Sequence, residues 1–192
     1  MGKNLYIVAG CNGAGKTTAS FTILPEMLDC REFVNADEIA RGLSPFQPER
    51  TAIEAGRIML GRIEFLLNAN ADFAFETTLA SKTYKNTVLK AQAKGDNVTL
   101  LFFWLQTVEL AKERVRQRVE EGGHDIDKTV IEQRYLAGIR NLFDVYLPIV
   151  NEVLIFDNSE GKQELIAKKI NHSNVLILNN AKFNLLQQYY DN

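Results

Sequence analysis

The sequence predicts an α/β protein: a parallel sheet of about five strands with helices packed on both faces. Three observations predict it. Short apolar runs alternate with helical patterns from Leu5 as far as Ile170. A glycine-rich turn directly follows the first apolar run. The longest later apolar run, Val98–Leu105, falls far short of the ~20 residues of a membrane span. At 192 residues the chain suits a single unit, 1–192, large enough to bury a core.

Leu5–Ala9 reads as the first strand. As a signal peptide's apolar region it is too short, so Val8-Ala9-Gly10-Cys11 is no lipoprotein cleavage site. The next residues, Gly10-Cys11-Asn12-Gly13-Ala14-Gly15-Lys16-Thr17, fit G-x-x-x-x-G-K-[ST] at every required position, and Thr18 follows. A loop wrapped round a phosphate must aim several backbone N–H groups inward, and Gly13 and Gly15 allow the bent or positive-φ backbone this needs. Lys16 supplies a charge for the β/γ-phosphates and the Thr17 hydroxyl can reach Mg2+. Lys16 to Leu24 reads as the helix that this motif requires. Gly10 to Thr18 are therefore the candidate nucleotide-binding residues, with ATP and Mg2+ as expected cofactors and Thr17 as the metal residue.

The second strand is expected at Glu32–Asn35 and its helix at Ala36–Gly42. Ligands of parallel sheets sit beyond the carboxyl ends of the strands, which directs attention to Asp37. Its carboxylate can accept a proton from an attacking hydroxyl, or it can cap the helix. In the helix expected at Pro48–Asn68, Ile53, Gly56, Met59/Leu60, Ile63 and Leu66/Leu67 recur at helical spacing and read as a core stripe. Phe73–Phe75 is the third strand, and Glu76-Thr77-Thr78 crowd oxygen-bearing side chains at its end. Glu76 there can serve the magnesium side of a nucleotide site or hold a substrate with Thr78; the alternative is helix capping by Thr78 or Ser81.

A helix at Lys82–Lys94 leads to the fourth strand, Val98–Leu105. Helices then follow at Val108–Glu121, carrying Arg114, Arg116 and Arg118, and at Lys128–Val150, carrying Arg134 and Arg140. With Gly122-Gly123 between them as a hinge, residues 114–140 read as a helical lid of the adenylate-kinase type, closing over phosphates to exclude water. The alternative is a solvated face paired with Glu113, Glu120, Glu121 and Glu132, and Arg116 fits that alternative. His124 reads as a turn residue, and with His172 the only other histidine a histidine metal site is not expected. After the fifth strand, Val153–Phe156, Asn158 lies where an adenine-contacting loop belongs, or in a turn before Gly161. The tail, 171–192, reads as a sixth strand plus helix or as an appended interaction element.

Charge and cysteine usage bound the partners. A net charge of −2 and a pI near 5.8 argue against a general attraction to nucleic acid or membrane. Two cysteines give no disulfide framework, which fits a cytoplasmic protein. Cys30 reads as a small buried hydrophobe, whereas Cys11 sits in the loop, where oxidation would block nucleotide binding.

Together these segments resemble the zeta-toxin-like family of P-loop kinases. The resemblance rests on Gly10 to Thr18, Phe33-Val34-Asn35-Ala36-Asp37, Phe73 to Leu79, Glu121-Gly122-Gly123-His124, Arg134 through Phe143, and Phe156-Asp157-Asn158-Ser159. It implies a P-loop NTPase fold and an ATP-dependent phosphotransferase whose better-known relatives act on a hydroxyl of UDP-N-acetylglucosamine. It further implies Asp37 as base, Lys16, Arg118 and Arg134 on phosphate, Glu76 and Thr78 on the substrate, and an antitoxin partner. One departure stands out: those relatives carry an arginine two residues after the threonine matching Thr78, and this chain has Ala80. Lys82 nearby lacks the forked donor geometry of arginine. Two other classes stay open, an ATP-binding regulatory switch without transfer and a nucleoside or polynucleotide kinase.

Overall fold

The computed structural model describes every residue except Met1, His124, His172 and Asn192. The reading of His124 as a turn residue therefore lies outside the described residues. Among the described residues, seven strands form one sheet in the order β2-β3-β1-β4-β5-β6-β7. The strands are β1 (Asn4–Gly10), β2 (Phe33–Val34), β3 (Phe73–Thr77), β4 (Asn97–Trp104), β5 (Glu152–Asp157), β6 (Glu164–Lys169) and β7 (Leu176–Ile177). The first five pair in parallel, as expected, and β6 and β7 add antiparallel to that edge. β4 is buried from Val98 to Trp104, which is what a central strand covered on both faces requires.

β1 lies between β3 and β4, so the chain crosses it on the way from β3 to β4 and leaves a crevice at the carboxyl ends. Register then sets which residues meet there. Val8 pairs with Glu76, and Val34 with Phe75, which carries Asn35 up beside Glu76.

The helices are α1 (Lys16–Thr22), α2 (Ala36–Leu43), α3 (Ala52–Asn68), α4 (Lys85–Ala93), α5 (Val108–Glu120), α6 (Lys128–Asn141), α7 (Leu147–Ile149) and α8 (Asn180–Asp191). The expected helix Lys128–Val150 is divided by a π-turn at Leu142–Tyr146. Pro148 explains it: proline has no N–H for the carbonyl one turn back, so the helix widens just before it. Pro25 lies in a second π-turn, Ile23–Met27, that prolongs α1. In α3 the core face is Ala55, Met59, Ile63, Leu66 and Leu67, so the expected stripe is only partly right. Ile53 is 76% exposed and Leu60 42%.

The tail carries a strand and a helix, the strand being the seventh because β6 was not expected. β7 adds to the sheet and α8 packs on α6, with Phe183 and Leu186 buried. Phe143 meets Phe183 and Tyr190, and Tyr135 meets Tyr189 edge-on. Among the described residues no helix is long and apolar enough to cross a membrane.

Candidate functional site

The glycine-rich turn runs from the buried end of β1 into α1. Gly13 and Gly15 have φ of 80° and 78°, the left-handed backbone expected of a phosphate-binding loop. A side chain at Gly15 would also strike the Asn158 amide nitrogen at 2.6 Å. Lys16 is 93% removed from solvent and bends back over the loop, donating to the Cys11 carbonyl at 3.0 Å.

Glu76 is the hub beneath it. One oxygen accepts from the Thr17 hydroxyl at 2.8 Å and from the Asn35 amide at 3.0 Å, and the other lies 3.5 Å from Lys16 Nζ. A carboxylate at a strand end would otherwise meet water; here it orients three groups, two from the start of α1 and one from the cap of α2. Thr17 and Glu76 present hard oxygens close together, a fit for Mg2+, which favours few protein oxygens plus phosphate and water. Among the described residues no cluster of three or more His, Cys, Asp or Glu could hold a metal by itself.

Asn35 is the residue that the sequence reading missed. Its side-chain oxygen accepts from the N–H groups of Asp37 (2.8 Å) and Glu38 (3.4 Å), so Asn35, not Asp37, caps α2. Its place just before the helix was the available signal, since Asn is among the preferred caps. Asp37, freed from that role, lies in the first turn and borders the loop cavity. That cavity, about 190 Å³, is also lined by Lys16, Thr17, Glu76, Arg114 and Arg118. On its other sides Asp37 borders two clefts, of about 380 Å³ and 760 Å³.

The smaller cleft is lined by Thr78, Ala80, Ser81 and Tyr84, and Arg134 borders both. Arg134 also reaches Asn12, at 3.3 Å. Neither Thr78 nor Ser81 caps a helix, since α4 begins after Tyr84 without a side-chain cap. Instead the segment after β3 is held in an unusual shape. Leu79, fully buried, has φ of 60°, a strained value for a branched residue. The Asn141 amide donates to its carbonyl at 2.8 Å, and a side chain on Gly138 would meet the Thr78 carbonyl at 2.7 Å.

The arginines divide by role. Arg116 is an exposed residue paired with Glu113 and Glu120, as the solvated-face alternative had it. Arg140 is exposed. Arg114 clamps the carbonyls of Asn158 (2.8 Å) and Ser159 (2.9 Å) while bordering the loop cavity, and Arg118 borders that cavity beside Asp37. Gly122-Gly123 forms the C-terminal cap of α5: Gly123 N–H bonds the Arg118 carbonyl and Gly122 N–H that of Val119. The glycine pair thus ends a helix and fastens the backbone of Arg118.

Asn158 lies under the loop. It is 8% exposed and its side-chain amide donates to the Ala14 carbonyl at 2.8 Å, which commits that amide to bracing the loop rather than facing a base. Cys11 is buried, and burial pushes its thiol up to about 11. It is protonated at neutral pH and a poor target for oxidation. Cys30 is buried, as expected, and both cysteines are free.

The Zeta toxin family model matches residues 2–171. An uncharacterized protein of Haemophilus influenzae is 31% identical over 128 residues, 66% of this chain and 88% of that protein. Among solved structures, a chain of the AvrRxo1-ORF1:AvrRxo1-ORF2 complex with sulphate ions superposes with a TM-score of 0.76 at 17% identity, over 96% of this chain and 63% of that one. The same protein solved with ATP gives 0.74 at 18%, over 98% and 64%. The chain therefore spans less than two thirds of the AvrRxo1 chain. The PezAT toxin–antitoxin system of Streptococcus pneumoniae gives 0.65 at 16% identity, over 100% and 85%. These likenesses show the fold, a P-loop kinase fold of sheet and flanking helices. With the family model spanning most of its length, the chain belongs to the Zeta toxin family.

Proposed function

We propose that this chain transfers the γ-phosphoryl group of ATP to a hydroxyl of a small molecule, for which a UDP-sugar such as UDP-N-acetylglucosamine is the first candidate. The observation that carries this reading is the position of Asp37, on the border between the loop cavity and the two open clefts. A base shared by both sides is what in-line transfer needs. The triphosphate lies along Gly10 to Thr18, and the acceptor lies in the clefts against Thr78 and Arg134.

In this reading the Asp37 carboxylate accepts the acceptor's hydroxyl proton as its oxygen attacks the γ-phosphorus, and the β–γ bridging oxygen leaves with ADP. Lys16, Arg118 and Arg134 meet the charge that spreads over the transferring group, and Arg114 adds to the positive field. Thr17 and Glu76 would hold Mg2+, which would supply positive charge against the phosphates when bound. Glu76 has a second task through its bonds to Lys16 and Asn35, because it sets the position of the α2 cap and so of Asp37. Family membership supports the reading, as does the likeness to a structure that contains ATP. An antitoxin partner rests on the same support, since the PezAT and AvrRxo1 structures are toxin–antitoxin or two-protein complexes by name. A cytoplasmic location rests on the free cysteines.

Turnover of ATP against a panel of nucleotide sugars, nucleosides and polyols tests it. We expect one acceptor class to be phosphorylated, and Asp37→Asn to lower kcat by about 10²–10⁴-fold with ATP affinity within about twofold. Equal turnover by wild type and Asp37→Asn would remove Asp37 as base. No turnover on any acceptor, with ATP still bound, would favour the regulatory switch.

A further inference from the structure

We infer that helix α8, which lies beyond residues 2–171 of the family match, tunes nucleotide binding: Lys182 acts as a positioning residue for the phosphate loop. The inference rests on the proposed nucleotide site and extends it to a part of the chain outside the family match.

The connection can be followed atom by atom. Lys182 Nζ lies 2.7 Å from Asp157 Oδ2 and 2.7 Å from Glu164 Oε2. Asp157 is 1% exposed, at the carboxyl end of β5. Its same oxygen accepts from Gln106 Nε2 at 2.9 Å, and its other oxygen from the N–H and hydroxyl of Ser159. The Ser159 hydroxyl oxygen in turn accepts the Gln106 N–H at 2.9 Å. Asn158 stands between these two residues. Its N–H donates to the Trp104 carbonyl, its amide to Ala14 of the loop, and its carbonyl accepts from Arg114. Asp157, Asn158 and Ser159 therefore form a tight turn with fixed atoms on every side, and the loop rests on its middle residue.

The energetic logic favours Lys182 as the member that decides. Burial acts to raise the Asp157 carboxyl, but the bonds from Lys182, Ser159 and Gln106 outweigh it and hold the group below its ordinary range. A buried carboxylate deprived of its cation is costly and either takes up a proton or draws in water. Either response shifts the turn, and with it the Asn158 amide under Ala14. Because Gly15 approaches that same amide so closely, the loop has no slack to absorb the shift. Displacements of this size in a supporting layer alter binding strongly. Asn179 caps α8 and bonds Glu164 at 2.7 Å, so the ammonium is delivered by a well-anchored helix start.

ATP dissociation constants, kcat and melting temperature on the full chain test the inference. Lys182→Met should raise the ATP Kd about tenfold while kcat at saturating ATP stays within about threefold. Lys182→Arg, which keeps the charge and donors, should recover most of the loss. Asn158→Ala should weaken ATP binding by itself, and its effect should not add to that of Lys182→Met, since both act through one contact. Tyr190→Phe, which loosens α8 at its bond to Asp144 far from Asp157, is the structural control and should lower the melting temperature without changing the Kd. An unchanged Kd in Lys182→Met beside a wild type that binds ATP overturns the inference, as does an equal loss in Tyr190→Phe. A wild type that binds no ATP overturns the proposed nucleotide site itself, and the inference with it.

Discussion

The phosphate loop and the larger of the two proposed acceptor clefts share a border at Asp37 but are built in opposite ways. The loop is tied from beneath by Asn158, from the side by Glu76 through Lys16 and Thr17, and from above by Arg134 at Asn12. The larger cleft is walled on one side by residues between Pro45 and Glu49, where Phe46 is 98% exposed and a 3₁₀ turn begins at Pro48–Thr51. A ligand end that is the same in every turnover can be met by a rigid, pre-positioned cradle. A wall that meets a variable partner needs no such bracing, and under the proposed function the difference would put the chemistry on one side and the specificity on the other.

The largest effect that would sharpen this contrast is on the loop. Lys16→Ala should lower turnover by about 10²–10³-fold, with a cooperative melt close to wild type, because Glu76 keeps its bonds from Thr17 and Asn35. A collapsed fold would show that the loop is structural first. Next comes the strained wall of the smaller cleft. Gly138→Ala pushes against the Thr78 carbonyl and should cost about 1–3 kcal/mol of stability, raising the acceptor KM while the ATP Kd holds. If ATP affinity falls equally, the two sides are one mechanical unit. The smallest effect belongs to Phe46→Ala. It should shift stability by less than about 0.5 kcal/mol and leave ATP binding unchanged, so that any change appears in the acceptor KM alone. An altered ATP Kd in Phe46→Ala would contradict the division.

Much of the loop was legible in the sequence because its requirements are local: glycines at fixed spacing, a lysine and a hydroxyl, after a short apolar strand. Asp37 and Glu76 were found by position, at strand ends of a parallel sheet. Asn35 escaped because the capping alternative was considered two residues later, at the more conspicuous Asp37 carboxylate. β6 escaped because its apolar run is only Leu165–Ala167, set between Glu164 and two lysines, without the long continuous apolar run of β4. The core face of α3 was rotated from expectation because that helix also exposes Ile53, Ile58, Leu60 and Phe65, so periodicity alone does not choose a side. The link from Lys182 to Asp157 joins residues far apart in sequence with no periodic pattern, and only the folded sheet brings them together.

The central claim is that the braced glycine turn holds a nucleoside triphosphate with its end toward Asp37. Equilibrium dialysis of the full chain against radiolabelled ATP, with and without Mg2+, tests it most directly. The account predicts saturable retention of one ATP per chain that weakens when Mg2+ is chelated; no retention at millimolar ATP with Mg2+ present would contradict it.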